Sequence, residues 1–444
     1  MARKSKIAWK RVIPLFILVV LVIYLVLSLL ISLIFHPNSE GGGNKNNDTT
    51  KVTICTLNNK QTMKALQNEN REQTVEIKDY NFYGESLNLY YDAYSRTTVE
   101  SNSLSGQKIA LIDMCSDNKI TFDINSAVDS QINIGKLTPG FYSVYIQAGE
   151  EGAETYTRVF MSNAIRGNNT IYSVLRNGQR MKVELVADRT YFDTEKDEES
   201  KLDKNYLYLN VTSEKAEEAT STDYDVVIFS APALTQGGVS LVGESANGIV
   251  EAEELYNVAL QVSSQLAEKG YRVKVMKDAM DQNILFYNGN GVANKAYNSK
   301  AKYMIYLDMT NYDADLGVKY SGYAAGTLQT AIYDKLVTAG LFDGDRTNEL
   351  YPCVMETSDY SNDGEFDTEY EIREMGGKVL GAGKYSESSA GNASFAANNI
   401  YGVNTVKIVT TNIWDSASVA KWNERKEAVA SAIVEGFEQY LSNN

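Results

Sequence analysis

Three apolar runs in the second half of the chain lead into residues that could do chemistry. The segment KAKYMIYLDMTNYD, residues 300–313, reaches a carboxylate at Asp308, and two other runs reach Phe229–Pro232 and Thr410. If these runs are parallel strands, their carboxyl ends meet at one edge of a sheet, where ligands bind in such folds. Asp308 is then a working residue, the relic of one, or an ordinary loop aspartate.

The histidine content restricts the chemistry of this edge. The only histidine is His36, so residues 37–444 contain none. Ser-His-Asp catalysis, Cys-His catalysis and histidine-containing zinc sites are therefore excluded from that part of the chain. It also contains no GxSxG motif, no P-loop and no GxGxxG motif after a strand.

A second acidic cluster, DYSNDGEFDTEYE at residues 359–371, has part of the spacing of a calcium-binding loop. Its members at loop positions 1, 3, 5, 6 and 9 are Asp359, Ser361, Asp363, Gly364 and Asp367. Tyr370 takes position 12, where a bidentate glutamate belongs, and Glu369 and Glu371 flank that position out of register. The pattern favours an acidic turn over a calcium site.

The three cysteines, Cys55, Cys115 and Cys353, are widely spaced and form no CxxC pair. Scattered thiols do not make a disulfide framework. Cys55 and Cys115 could pair in an oxidising environment, and the sequence leaves this open.

Strand and helix patterns alternate over residues 223–444. Leu255, Val258, Val262 and Leu266 recur at the spacing of one helix face, and the following Gly270 predicts the end of that helix. The other predicted elements are strands at 223–230, 271–277, 302–307 and 404–410 and helices at 326–337 and around 419–437. This alternation predicts an α/β domain with a mostly parallel sheet.

Residues 51–212 contain short runs rich in β-branched and aromatic residues, separated by Gly, Asn, Asp and Ser. This pattern predicts a β-sandwich of immunoglobulin-like character. Its tyrosines could stack on sugar rings, but packing in the core and on the pleated surface is the simpler role. The segment SEKAEEATST, residues 213–222, predicts a linker between the two domains.

The N-terminal residues predict a membrane anchor. Residues 13–35 contain no charge, and a helix needs about 20 apolar residues to cross a bilayer. No Ala-x-Ala-like cleavage site follows, so we expect an uncleaved signal anchor. Residues 1–12 carry five basic residues and no acidic one, which predicts a cytoplasmic N-terminus. Residues 36–50 then form a flexible linker, and the rest of the chain lies outside the cytoplasm.

The charge of this outer part argues against nucleic acid as a partner. Once the five basic residues of the N-terminal tail are set aside, 37 basic residues stand against 57 acidic ones. Such a surface repels phosphate backbones, and no basic stripe is present.

Five segments in the second half of the chain follow one another in the order of a known family. They are VVIFSAP, GIVEAEELYNVALQVSSQLAEKGYRVKVMKD, AKYMIYLDMTN, VKIVTTN and VASAIVEGFEQYL. Over residues 223–441, about half of the chain, this order resembles the zinc-dependent N-acetylmuramoyl-L-alanine amidases, which cut the muramic acid–peptide amide of bacterial peptidoglycan. The resemblance implies an amidase-like α/β fold.

In that family, zinc is bound by a histidine after the first strand, a glutamate that opens the first helix and a histidine that ends a later strand. A glutamate after the last strand is the general base. The resemblance places these four roles on Pro232, Glu251, Asp308 and Thr410. Glu253 and Glu254 are rivals of Glu251 for the glutamate ligand.

Only Glu251 keeps its family residue type, so the resemblance implies a degenerate site without zinc. A catalytic zinc needs three ligands and an open position for water. Proline has no side-chain donor, and a threonine could at most hold a water. Glu251 and Asp308 would offer two hard oxygen ligands, which suit magnesium, calcium or manganese, but two carboxylates alone make a poor metal site. The pattern favours two solvated residues at a relic site.

Three functions are compatible with this pattern. The first is a membrane-anchored, amidase-like pseudoenzyme of a bacterial envelope that binds peptidoglycan or a partner protein. The second is an active peptidoglycan amidase with an altered metal-ligand set of Glu251, Asp308 and an acidic residue such as Glu254. The third is an adhesive or structural surface protein that binds through its β domain.

Overall fold

The computed structural model of the chain describes most of the residues between 60 and 443. The described ranges are 60–90, 104, 106–124, 127–161, 169–187, 206–216, 222–232, 242–282, 284–286, 290–344, 349–353, 369–382 and 399–443. The tail, the apolar segment and the linker predicted at residues 1–50 lie outside these ranges. Within them, no helix is both long and apolar enough to cross a membrane.

The first part of the described chain is mostly β. It begins with a helix that the sequence analysis missed, α1 (Lys60–Gln67), in which Thr62 and Ala65 are buried. Its strands are β1 (Val75–Ile77), β2 (Asp79–Tyr83), β3 (Ser86–Tyr90), β4 (Lys108–Asp113), β5 (Lys119–Asp123), β6 (Ile132–Asn133), β7 (Gly140–Ala148), β8 (Thr155–Met161), β9 (Thr170–Tyr172), β10 (Gln179–Ala187) and β11 (Leu207–Lys215). β11 extends three residues into the segment predicted as a linker.

The second part alternates strands and helices. Its strands are β12 (Val226–Ser230), β13 (Ser245–Ala246), β14 (Ile249–Val250), β15 (Val273–Val275), β16 (Tyr303–Thr310), β17 (Gly317–Ser321), β18 (Leu350–Cys353), β19 (Tyr401–Gly402) and β20 (Asn404–Asn412). Its helices are α2 (Glu251–Glu268), α3 (Val292–Asn298), α4 (Thr327–Thr338), α5 (Tyr370–Met375), α6 (Gly377–Leu380) and α7 (Ser416–Asn443).

A six-stranded sheet in the order β15-β12-β16-β20-β17-β18 forms the centre of the second part. Neighbouring strands run parallel except β17 and β20, which are antiparallel. The prediction of a mostly parallel α/β sheet is therefore confirmed. β16 and β20 continue two residues past Asp308 and Thr410, so both residues lie near the carboxyl ends of strands rather than in loops.

Helix α2 forms where the sequence predicted it, because its apolar residues lie on one face. Leu255, Val258, Val262 and Leu266 are buried against the sheet, and three glutamates in the first turn favour the positive end of the helix dipole. The helix follows the β13–β14 hairpin directly. This hairpin fixes the position of the first turn at the carboxyl edge of the sheet.

The β part contains two sheets that share one apolar core. The larger has β1, β8, β7, β11, β10 and β9 in order, with β4 paired to β7 and β5 paired to β4, and the smaller has the order β19-β2-β3-β6. Residues such as Phe82 and Leu87 of the smaller sheet pack in the same cluster as Leu111 and Val144 of the larger. The finer prediction of immunoglobulin-like topology is not confirmed, and the smaller sheet takes β19 from the C-terminal part of the chain.

Candidate functional site

The side chains of Pro232 and Glu251 both lie next to Gly243, in the turn that precedes the β13–β14 hairpin. A Cβ added to Gly243 in this turn would lie 2.1 Å from Glu251 Oε2 and 3.2 Å from Pro232 Cγ. Gly243 also has a φ of +69°, a conformation that glycine adopts without strain. Two of the positions to which the resemblance assigns metal ligands are thus adjacent, and only one of them has a side-chain donor.

The carboxylate of Glu251 is buried at the first turn of α2, with 6 % of the residue exposed. Its Oε2 accepts a hydrogen bond from the backbone N–H of Glu244 at 2.9 Å. Burial, together with the nearby negative charge of Asp308, raises the pKa of Glu251 to about 7. Glu251 and Asp308 are therefore close enough to repel each other, as the predicted site requires.

Asp308 forms an ion pair within the sheet. Its Oδ2 lies 3.2 Å from Lys407 Nζ of β20, and its Oδ1 accepts from the backbone N–H of Met309 at 3.0 Å. Thr410 Oγ1 donates to the backbone carbonyl of Asp308 at 3.1 Å. The structure thus places Thr410 beside Asp308, and the hydroxyl hydrogen of Thr410 forms a hydrogen bond between β20 and β16.

Lys407 is the centre of a buried ionic network. Besides Asp308, its ammonium lies 2.6 Å from Glu369 Oε2 and 3.5 Å from Glu371 Oε2, and Lys319 binds the other oxygen of Glu369 at 2.6 Å. Burial opposes the charge of Lys407, but the three carboxylates raise its pKa above the ordinary value. Burial raises the pKa of Glu371 to about 7, whereas the two lysines overcome burial and lower the pKa of Glu369.

A second lysine, Lys277, lies just beyond the end of β15. Only 2 % of the residue is exposed, and its Nζ has no hydrogen-bond partner among the described residues. The Nζ lies 5.5 Å from the centre of the Phe229 ring, within the range of a cation–π contact. Burial lowers the pKa of Lys277 to about 8, and the charge of Glu251 opposes this shift.

The two rivals of Glu251 point elsewhere. Glu253 is exposed on α2. Glu254 accepts hydrogen bonds from Trp422 Nε1 at 2.9 Å and from Lys426 Nζ at 2.9 Å, both on α7. Of the three glutamates in this turn, Glu251 alone joins the edge of the sheet.

The sequence analysis missed the lysines of this site. Lysine side chains are usually exposed, even within or next to apolar runs such as VKIV and VKVMK. The sequence pattern therefore gave no sign that Lys407 and Lys277 are buried at the site. Glu369 and Glu371 were noted only as members of the acidic segment 359–371. Most of that segment lies outside the described residues, but these two glutamates are ion-pair partners of Lys407.

The donor set at this edge does not fit the zinc site that the resemblance implies. Pro232 has no donor atom, and an ammonium at 3.2 Å from Asp308 would repel a cation placed on that carboxylate. The described residues contain no group of three or more His, Cys, Asp or Glu arranged to hold a metal ion. Magnesium, calcium or manganese at Glu251 and Asp308 would meet the same repulsion from Lys407.

Cys115 is disulfide-bonded. Cys55, the partner considered in the sequence analysis, lies outside the described residues.

Solved amidase structures are among those to which this chain is similar. N-acetylmuramoyl-L-alanine amidase AmiC2 of Nostoc punctiforme is 14% identical, with a TM-score of 0.30, over 50% of this chain and 99% of that chain. The amidase Ami1 from Mycobacterium smegmatis is 14% identical, with a TM-score of 0.30, over 51% of this chain and 100% of that chain. The CwlD amidase from Clostridioides difficile, in complex with the GerS lipoprotein, is 13% identical, with a TM-score of 0.30, over 50% and 100% of the two chains.

No protein-family model and no curated protein matches the chain. At identities this low, activity does not follow from likeness of fold.

Proposed function

We propose that this chain is a membrane-anchored protein of a bacterial envelope. Its α/β part binds peptidoglycan, and it has lost the zinc-dependent cleavage of the family that it resembles. The order of elements along residues 223–441 supports the link to peptidoglycan, because it is the order implied by the amidase resemblance. The predicted anchor at residues 13–35 supports a location at the membrane, with the bulk of the chain outside the cytoplasm.

One observation carries the non-cleaving part of this proposal. At the position of the third metal ligand, Asp308 binds the ammonium of Lys407 at 3.2 Å. An ammonium held among three carboxylates supplies the positive charge that a metal ion would otherwise provide, but it has no open coordination position for a nucleophilic water. In this proposal the carboxyl edge of the sheet keeps its fold and can still bind a ligand, while an ion pair replaces the metal site of the family.

The test is co-sedimentation of the detergent-solubilised full chain with purified peptidoglycan sacculi in the presence of added zinc. We expect the protein to pellet with the sacculi while the supernatant gains no muropeptides. An active zinc amidase serves as the positive control for cleavage. Release of amide-cleaved peptides by the chain would overturn the non-cleaving role, and failure to pellet would overturn peptidoglycan binding.

A second candidate function is an active peptidoglycan hydrolase that uses the acid–base groups of this site. It is favoured by the pKa values of Glu251 and Lys277, about 7 and about 8, since groups poised near neutrality suit proton transfer. This candidate predicts slow cleavage that the Glu251→Gln variant abolishes and that chelators leave unchanged.

A further inference from the structure

Two large aromatic side chains are exposed just beyond the candidate site. Tyr312 follows β16 and is 69 % exposed, and Trp414 follows β20 and is 63 % exposed. β16 and β20 are neighbours in the parallel sheet, so both aromatic residues lie at its carboxyl edge. Tryptophan exposed to this degree is unusual, because burying its large ring stabilises a fold.

Hydrogen bonds fix the backbone that presents the two rings. Asn412 Oδ1 accepts from the backbone N–H of Trp414 at 3.0 Å, and Asn412 Nδ2 donates to Asp313 Oδ1 at 2.6 Å. Asn412 thereby ties the loop of Trp414 to the loop that contains Tyr312. The backbone N–H of Tyr312 donates to Thr310 Oγ1 at 3.1 Å. The rings are therefore presented by braced loops, which lowers the ordering cost of binding.

This aromatic pair is continuous with the buried site. Trp414 Nε1 donates to Glu244 Oε2 at 3.3 Å, and the backbone N–H of Glu244 donates to Glu251 at 2.9 Å. Asn247 Nδ2 also donates to the backbone carbonyl of Ile413 at 2.9 Å, which joins the β13–β14 hairpin to the loop of Trp414. A ligand that lies on Trp414 would therefore lie near Glu251, at the carboxyl edge of the sheet.

The polar groups beside the rings are carboxylates, which disfavour an anionic ligand and suit a hydroxylated one. Asp415 caps α7 by accepting from the backbone N–H of Ser418 at 2.8 Å, and Asp313 is bound by Asn412. These hydrogen bonds from the protein hold both carboxylates in place beside the rings. Each ionised carboxylate still has lone pairs for ligand hydroxyls. A sugar ring offers both a C–H face for the aromatic rings and hydroxyls at its edge.

We propose that Trp414 and Tyr312 form a glycan-binding platform at the carboxyl edge of the sheet, with Glu244 and Asn412 orienting the tryptophan. The inference rests on the proposed peptidoglycan-binding function for the source of the glycan. It specifies that the sugar backbone of the polymer, rather than its peptide, makes the contact with this surface.

Tryptophan fluorescence tests the platform directly. The chain has three tryptophans, Trp9, Trp414 and Trp422, and Trp422 is fully buried. In a full-length chain that carries Trp9→Phe, a change in emission on titration with chitotetraose, a neutral β-1,4-linked N-acetylglucosamine oligomer, therefore reports on Trp414. We expect saturable binding, and we expect chitotetraose to protect Trp414 from quenching by acrylamide.

Variants separate the platform from general effects. Trp414→Ala and Tyr312→Ala, measured by calorimetry, should each weaken chitotetraose binding by about tenfold or more, whereas Trp414→Phe should retain part of it. Leu260→Ala, which truncates an exposed apolar residue on α2, is the matched control and should leave binding unchanged.

The outcomes distinguish this inference from the proposed function. Sacculus binding that survives Trp414→Ala and Tyr312→Ala unchanged would overturn the platform and leave the proposed function standing. Chitotetraose binding without sacculus binding would support the platform and overturn peptidoglycan as its source. Binding of a tri-lysine peptide in preference to chitotetraose would show that the rings recognise cations, and would overturn the glycan assignment.

Discussion

One lysine determines the electrostatics of the candidate site. Lys407 is surrounded by Asp308, Glu369 and Glu371, and between 5 % and 18 % of each of these side chains is exposed, so water solvates their charges poorly. A buried carboxylate is tolerated when an opposite charge and hydrogen bonds compensate its desolvation. The network therefore depends on its single central cation more than on any one carboxylate.

Replacement of Lys407 by methionine should destabilise the protein by about 3–5 kcal/mol near pH 7, because it leaves Asp308 and Glu371 without their counter-charge, while Glu369 keeps Lys319. The loss should be smaller at pH 5, where protonation removes part of the uncompensated charge. Urea denaturation at both pH values measures it. The control is Lys421→Met, which removes a surface ion pair with Asp343 and should cost about 1 kcal/mol or less. Equal losses for the two variants would contradict the central role of Lys407.

The pKa of Glu251 predicts a pH dependence of stability. Because burial raises this pKa to about 7, the folded state holds the proton more tightly than the unfolded state, whose value is near 4.5. The stabilisation from this proton is complete below about pH 4.5 and is lost as the pH rises through 7.

Glu251→Gln should therefore stabilise the protein by about 1–3 kcal/mol at pH 8 and have little effect at pH 4.5. Thermal or urea unfolding across this range gives the difference between variant and wild type, so the parallel titration of Glu371 cancels. Glu253→Gln, an exposed neighbour in the same turn, is the control. A constant difference at all pH values would show that Glu251 does not titrate in this window.

At the scale of elements, α7 packs closely against α4 at a glycine. Gly436 of α7 lies so near α4 that an added Cβ would be 2.5 Å from Ile332 Cα and 2.8 Å from the backbone oxygen of Ala331. These are backbone atoms, which cannot move aside as the end of a flexible side chain can. The absence of a side chain at this position is what allows α7 to lie against α4.

Gly436→Ala should destabilise the protein by about 1–3 kcal/mol, although alanine favours a helix more than glycine does. The steric cost exceeds the gain in helix propensity, because the two helices must separate. Gln439→Ala, on an exposed position of the same helix, should change the free energy of unfolding by less than about 0.5 kcal/mol. A stabilised Gly436→Ala variant would mean that the helices tolerate separation.

At the scale of the whole molecule, the β and α/β parts within Ile54–Asn444 are joined by buried polar contacts. Glu85 in the turn between β2 and β3 is 3 % exposed and accepts two hydrogen bonds from Arg176, at 2.8 and 2.9 Å. It also accepts from the hydroxyl of Tyr303 in β16, at 3.0 Å. The pairing of β19 with β2 adds a second connection. The two parts thus complete each other's hydrogen bonding.

We expect the fragment 217–444 to lack cooperative unfolding when it is expressed alone, because it loses Glu85 and the strand that pairs with β19. Co-expression with the fragment 54–216 should restore a soluble complex that co-purifies and unfolds in one transition. Circular dichroism during thermal unfolding is the measurement. A sharp transition of the isolated fragment 217–444 would show that the α/β part is an independent domain.

The sequence predicted the α/β elements well because their signals are local. Apolar periodicity located α2 within a few residues, and runs of β-branched residues located the strands of the parallel sheet. The convergence of Pro232, Asp308 and Thr410 followed from the rule that parallel strands end at one edge, whereas the place of Glu251 was implied by the family resemblance. The segments at residues 1–50 and most of 359–371 lie outside the described residues, so those expectations stay predictions.

The sequence by itself determined that histidine chemistry is missing from residues 37–444, because the composition leaves no exception. The tertiary structure alone decided what stands in place of that chemistry: Lys407 comes from one part of the chain, Glu369 and Glu371 come from another, and they meet at Asp308. It also decided that Trp414 and Tyr312 are exposed at the same edge and that Glu85 joins the two parts. Pairing of charges and exposure of rings depend on which distant segments the fold brings together, and no local pattern of residues encodes that.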